Sequence, residues 1–205
     1  MTHHAESSGR IIRRLSASDR DAALDLLEGG LQEVPVYRWL LGEDASVDVF
    51  RWYGELLFVE HLSGLRGIFD ESGALVALIA VNTNADEAGR ADDDLRERSK
   101  RYITTIAGFA QRFRELKEKS AATAVKEDAI RVIFALVHPD HRRNGTLSTL
   151  VEPVIERGRR EGLPITASSS DPALKELYRR KWGGQICAEF TLTDGPTVWV
   201  QRLDP

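Results

Sequence analysis

Between Val137 and Thr146 the chain reads Val137-His138-Pro139-Asp140-His141-Arg142-Arg143-Asn144-Gly145-Thr146, a basic segment set between an apolar run and a stretch of helical spacing. A loop that ends at a helix start points unsatisfied backbone N–H groups outward, and the helix dipole favours an anion there. Gly145 permits close backbone approach, while Arg142 and Arg143 add charge and forked donors suited to phosphate. By residue types alone, the segment fits either a phosphate cradle or a solvated turn closing a buried strand. His138 and His141 flank Asp140, but two imidazoles in one turn supply no third or fourth ligand, so no metal is expected. Cys187 lacks an identifiable paired base and reads as a buried structural thiol.

Other residues have chemical potential of a less specific kind. Asp171, Leu174 or Lys175, and Tyr178 share a helix face by their spacing, so a ligand beside Asp171 runs toward the phenol. Tyr178 is then either a core tyrosine or a proton donor. Glu60, Glu127, Asp128 and Glu189 are carboxylates beside apolar elements, and each reads as surface charge before it reads as a base. Tyr37, Trp39, Trp52 and Tyr53 concentrate aromatic area early in the chain. They fit core packing or the walls of a pocket for an aromatic or amphipathic molecule.

The elements that would position these groups follow from periodicity. Residues 11–15 form a short apolar strand, followed by a helix to Gly29-Gly30, a second helix from Val34-Pro35, and a third after Ser46 carrying Val49, Phe50, Tyr53 and Leu57. Residues 65–69 and 74–81 flank the Asp70-Glu71-Ser72-Gly73 turn and pair as a hairpin, with the second strand apolar on both faces. Helical spacing returns from Asp92 to about Lys119, with Leu95, Tyr102, Ile106, Phe109, Phe113 and Leu116 on one stripe that must bury itself against the earlier aromatics. Residues 129–137 are another strand with two apolar faces, and the basic segment joins it to a helix in which Pro153 predicts a kink. A strand at 163–167, a helix capped by Asp171 with Pro172 first, and strands at 185–192 and 197–203 complete the order.

Composition narrows the class. At 205 residues the chain is long enough for one well-buried domain spanning 1–205, with 1–10 expected to be disordered and 83–127 a helical insertion. A hydrophobic content of 42% beside 29% charged residues excludes a disordered or fibrous chain. The apolar run 74–81 falls far short of the roughly 20 residues that span a bilayer, so no membrane partner is expected. A lone cysteine and a polar start without an apolar stretch point to a cytoplasmic protein. The net charge of -4 argues against nucleic acid, while the local gathering of basic residues from 142 to 181 suits a small phosphorylated ligand.

Ala135-Leu136-Val137-His138-Pro139-Asp140-His141-Arg142-Arg143-Asn144-Gly145 resembles the acyl-CoA-binding motif of GNAT N-acetyltransferases. Leu174-Lys175-Glu176-Leu177-Tyr178-Arg179-Arg180 resembles their later tyrosine-bearing helix, at a matching separation. The insertion before the motif strand, Glu152-Pro153, and Asp194-Gly195-Pro196 followed by Trp199 bring the likeness closer to the puromycin N-acetyltransferase-like branch. The resemblance implies an α+β fold: a mixed, mostly antiparallel sheet flanked by helices, with the helical insertion between the third and fourth strands. It implies acetyl-CoA as co-substrate, backbone near Leu136 and Val137 holding the pantetheine arm, and Arg142, Arg143, Asn144, Gly145, Thr146 and Leu147 holding the pyrophosphate. Asp171 would lie beside the cofactor and Tyr178 would donate a proton to the departing thiolate. A small-molecule amine would enter from the side of Tyr37, Trp39, Trp52 and Tyr53.

Three departures stand out: Leu147 where the family commonly has glycine or alanine, Ser168 where the related branch often has glutamate, and one extra residue in Lys181-Trp182-Gly183-Gly184. The alternative is a non-catalytic acyl-CoA-binding domain acting as a sensor or partner module, which Ser168 and the absence of an assigned base keep open.

Overall fold

The computed structural model describes residues 10–83, 86 and 88–205. Of the segment expected to be disordered, residues 1–9 lie outside the described residues. Arg10 is described, and it donates to Thr146 Oγ1 at 3.1 Å.

Seven strands form one sheet. Strand β1 (Ile11–Arg14) pairs antiparallel with β2 (Leu65–Phe69), and β2 with β3 (Leu75–Asn82). Their turn closes because the Asp70 carboxylate accepts from the amides of Ser72 and Ala74, and Gly73 takes the left-handed conformation at φ +82°. Strand β4 (Ile130–Val137) is antiparallel to β3 and parallel to β5 (Ile165–Ser169). Strand β7 (Thr197–Leu203) lies antiparallel against β5, and β6 (Gln185–Thr191) forms the far edge. The two-sided apolar character of β3 has its reason here: Leu78 and Ala80 face one core, Ala77, Ile79 and Val81 the other.

The larger core holds α1 (Arg20–Glu33), α2 (Pro35–Leu41), α3 (Val47–His61), α4 (Asp93–Thr105) and α5 (Phe109–Thr123). On the opposite face lies α6 (Thr146–Glu161), which buries Leu150, Val154 and Ile155. Helix α7 (Pro172–Trp182) packs on β5 and β7, and Gln201 ties it down by donating to the Lys175 carbonyl at 3.1 Å.

The insertion between β3 and β4 is two helices rather than the single one predicted. The break falls at residues 106–108, where Gly108 at φ +72° caps α5. Tyr102 stacks on the Trp52 indole at 4.8 Å, and Phe109 meets the same indole edge-on at 5.7 Å. Both rings thus meet one indole from either side of the break. Helix α4 starts where Asp92 accepts from the Leu95 amide at 2.8 Å. It is fixed to α3 by Glu55, which is 5% exposed and receives Arg98 at 2.8 and 3.0 Å as well as Arg20.

Pro153 lies inside α6, which runs from Thr146 to Glu161. One further expectation changes. Cys187 is exposed rather than buried, because β6 is the sheet edge; its Sγ lies 3.5 Å from the Val200 carbonyl oxygen.

Candidate functional site

Strands β4 and β5 pair at Ile130–Ile165, Arg131–Thr166 and Val132–Ala167, and no further. Both continue past that point, so the last residues of β4 have no neighbour on the β5 side. A register shift opposite Ala80 and Val81 leaves Ile133 out of the β3 ladder, which bends β4 where the strands part.

Two cavities occupy the opening. The first, about 500 Å³, runs from the end of α1 past Ala135, Leu136 and Val137 to the loop before α6 and onto α7. The second, about 440 Å³, lies under α3 and α5 and is walled by Tyr37, Tyr53, Leu57, Phe113 and Leu116. Val34, Ala135, Leu136, Asp171, Leu174 and Tyr178 border both. The cavities therefore meet between the end of β4 and the face of α7.

The first cavity is built to hold an anion. Gly145 precedes α6 at φ +88°, and a Cβ there would meet nothing within 4 Å, so the helix start opens onto free space. Gly145 offers no side-chain cap, which leaves first-turn amides of α6 for a ligand. Leu136 lies so close to α1 that a Cβ on Gly30 would come within 2.7 Å of it. Arg143 holds the left-handed conformation at φ +63°, and its guanidinium forms no ion pair among the described residues. Arg142 is already engaged: Nη1 lies 2.7 Å from the Glu33 carboxylate, and Nε donates to the Val137 carbonyl at 3.0 Å. Lys181 also borders the cavity and bonds the Ser148 hydroxyl. Thr146 and Leu147 line it; Asn144 does not, and its side-chain amide instead contacts Thr146 Oγ1 at 2.6 Å.

Asp171 caps α7 by accepting from the Ala173 amide at 2.7 Å and faces both cavities. Tyr178, two turns later, forms no hydrogen bond through its hydroxyl among the described residues. Burial pushes this phenol up to about 12, with the Asp171 carboxylate adding to the shift, so it keeps its proton throughout the neutral range.

In the second cavity the Tyr37 and Tyr53 rings lie 5.7 Å apart. Burial, then Glu60, pushes Tyr37 up to about 12; Tyr53 is raised further by burial, by Tyr37 and by Glu60. Burial lowers the pKa of His61 against the opposing charge of Glu60, and its Nδ1 meets the Asn82 amide at 2.9 Å.

The two tryptophans chosen with these tyrosines line neither cavity. Trp39 is 8% exposed, donates from its indole to the Thr193 carbonyl at 2.9 Å, and packs on Gly195. Trp52 is 2% exposed and donates to Ser99 Oγ at 2.9 Å. Both pin the helical layer instead. Of the four carboxylates weighed as bases, Glu60 alone borders a cavity; Glu127 is paired with Arg202, and Glu189 lies on the β6 edge.

Ser168, noted above as a departure from the related branch, is joined by Ser169 and Ser170, which the sequence left unassigned; the three continue the second cavity from β5 to Asp171. Ser170 Oγ accepts from the Val36 amide at 3.0 Å and so seats the start of α2. Three consecutive hydroxyls ahead of a helix cap were the available signal. Among the described residues no group of three His, Cys, Asp or Glu side chains is placed to hold a metal, and no helix is long and apolar enough to cross a membrane.

No protein-family model matches the chain. Solved structures do. A structure titled for histone acetyltransferase HPA2 and related acetyltransferase from Corynebacterium glutamicum aligns with a TM-score of 0.69 at 17% identity, covering 96% of this chain and 97% of the other. Drosophila melanogaster polyamine N-acetyltransferase, which catalyses the formation of N-acetylagmatine, aligns with a TM-score of 0.64 at 16% identity, covering 96% and 100%. A protein from Salmonella typhimurium, solved with its cofactor acetyl-CoA, aligns with a TM-score of 0.53 at 14% identity, covering 96% and 94%. A mostly antiparallel seven-stranded sheet, one parallel pair that parts midway and a helical layer on each face thus give this chain the fold of the GNAT acetyltransferases.

Proposed function

We propose that this protein transfers an acetyl or other short acyl group from acyl-CoA to an amine of a small molecule by direct attack. The observation that carries this reading is the meeting of an anion-binding cavity and an aromatic-walled cavity at one unbonded phenol, Tyr178. The first cavity fits acetyl-CoA as co-substrate: first-turn amides of α6, with Arg143 and Lys181 beside them, suit a pyrophosphate, and the exposed backbone of β4 near Leu136 and Val137 suits the pantetheine amides. Similar folds solved with acetyl-CoA or acting on agmatine support the same reading. The insertion, Glu152-Pro153 and Trp199 favour the puromycin N-acetyltransferase-like branch, and the reducing cytoplasm suits the exposed thiol of Cys187.

In this chemistry a neutral amine nitrogen bonds to the thioester carbonyl carbon as the carbon–sulfur bond breaks. Tyr178 gives its proton to the leaving thiolate, and the proton lost by the amine restores the phenol through solvent. A phenol held near 12 is a donor that stays loaded at neutral pH.

The test is an amine panel with acetyl-CoA, reading free thiol and product mass together. Amine-dependent thiol release matched by an N-acetyl product is the expected result. Acetyl-CoA binding with no amine-dependent thiol across a broad panel would overturn the enzyme reading and leave the sensor.

A further inference from the structure

The aromatic-walled cavity has a charged end that acyl transfer alone does not use. His61 bonds Asn82, and Asn82 pairs with Arg131, at the opposite end of β4 from the Leu136 junction. At about 3.3 Å per strand residue, that end lies on the order of 16 Å from where the cavities meet. Glu60 sits there, and its carboxylate makes no hydrogen bond or ion pair among the described residues.

Glu60 is exposed where it borders the cavity, and its charge is near enough to help raise the phenols of both Tyr37 and Tyr53. Two cations border the same cavity, and the charge of Lys117 reaches His61. Lys117 Nζ stands 5.8 Å over the Phe113 ring, and Arg131 has an interaction of its own. The neutral rings of Tyr37 and Tyr53, which line the same cavity, present negative faces, which attract cations and not anions.

We infer that the acceptor carries a second cationic group, an ammonium or guanidinium at the far end from the reacting nitrogen, which the Glu60 carboxylate holds beside Tyr37 and Tyr53. This rests on the acyl-transfer reading and adds the substrate class. Charge at both ends is the recognition feature, and the chain between them lies along β4.

The experiment compares three series of matched chain length with acetyl-CoA: n-alkyl monoamines, α,ω-diamines and ω-amino acids. For wild type, kcat/KM of the diamine over the monoamine rises with length as the far ammonium reaches Glu60, to about 10- to 100-fold for a charged hydrogen bond. Glu60→Gln, with folding checked by thermal denaturation, collapses that ratio. A ratio near one at every length, while monoamines are acetylated, overturns the inference and leaves acyl transfer standing. A preference for the ω-amino acids overturns it by moving recognition to Lys117 and Arg131. Equal losses for all three series in Glu60→Gln, with an altered pH profile, overturn it by making Glu60 the base. If no series releases thiol, the acyl-transfer reading itself fails and takes this inference with it.

Discussion

Replacing Gly145 by glutamate separates the anion cradle from the rest of the fold, and the size of the effect follows from the geometry. A Cβ at this position meets nothing within 4 Å, so the substitution creates no clash. It does place a non-glycine residue at φ +88°, a strain of about 1–2 kcal/mol that Gly145→Ala shares. The ligand-dependent part is distinct. Acetyl-CoA at about 100 times its Kd stabilises the wild type by about 2.7 kcal/mol. For a domain of this size each kcal/mol moves Tm by about 2–4 °C, giving a shift of about 5–11 °C. A carboxylate in the cradle that weakens binding about 100-fold brings the same ligand concentration to its Kd, where only about 0.4 kcal/mol, or about 1–2 °C, remains. Differential scanning fluorimetry of wild type, Gly145→Ala and Gly145→Glu, with and without acetyl-CoA, reads all of this. Alanine should keep most of the shift and glutamate should lose it. A full wild-type shift in Gly145→Glu would refute the cradle, and equal losses in the two variants would refute the argument from charge.

Three other outcomes are expected. Tyr178→Phe lowers kcat by about 10²- to 10⁴-fold and leaves the acetyl-CoA thermal shift unchanged; unchanged turnover with chemistry rate-limiting removes the phenol from the mechanism. Phe113→Leu, at the cavity wall formed by α5, alters the ranking of amine substrates without changing acetyl-CoA binding. An unaltered ranking in the folded variant makes the insertion structural. Burial alone raises the Glu55 carboxyl, but hydrogen bonds from Arg98 and Arg20 overcome this and hold it below its usual range. That stability is present above the unfolded carboxylate value of about 4.3 and is lost as pH falls through the depressed folded value. Glu55→Gln therefore lowers Tm at pH 7 and flattens the acid limb of Tm against pH; an acid limb identical to wild type would show that the network contributes nothing.

Much of this fold is legible in local pattern because the signals are strong and short-ranged. The two-faced apolar runs that become β3 and β4 admit little besides central strands, and the polar Asp70 turn between β2 and β3 has the chemistry its geometry needs. The basic segment ending at Gly145 is legible for the same reason, since a strand end, a glycine and a helix start are adjacent in the chain. What was not legible depends on partners far away in sequence. Gly108 inside a stripe of helical spacing permits a continuous helix or a turn, and Trp52 decides between them. Trp39 and Trp52 have the residue type of pocket walls, but their indoles are satisfied by Thr193 and Ser99, which no local pattern announces. Arg142 reads as a free phosphate ligand until Glu33, 109 positions earlier, is seen to hold it. Cys187 is exposed because strand order makes β6 an edge, and order is not written in a strand's own residues.

The turn between β6 and β7 is gripped from both ends of the helical layer. Trp39 donates to Thr193 across 154 positions, Lys119 donates to the Thr191 carbonyl at 2.6 Å, and the Glu115 carboxylate accepts from the Thr193 amide at 2.8 Å. In chain order this turn comes after every helix among the described residues, and β7, which lies between β5 and β6, follows it. A nascent chain stopped before Thr197 has made every helix among the described residues yet leaves the β5 edge without β7. Closing contacts so distant in sequence carries a large entropic cost and is slow. The part of the cavity wall that Val198 and Val200 of β7 supply is therefore late to form, and the intermediate that precedes it, with the β5 edge open, is the species exposed to aggregation.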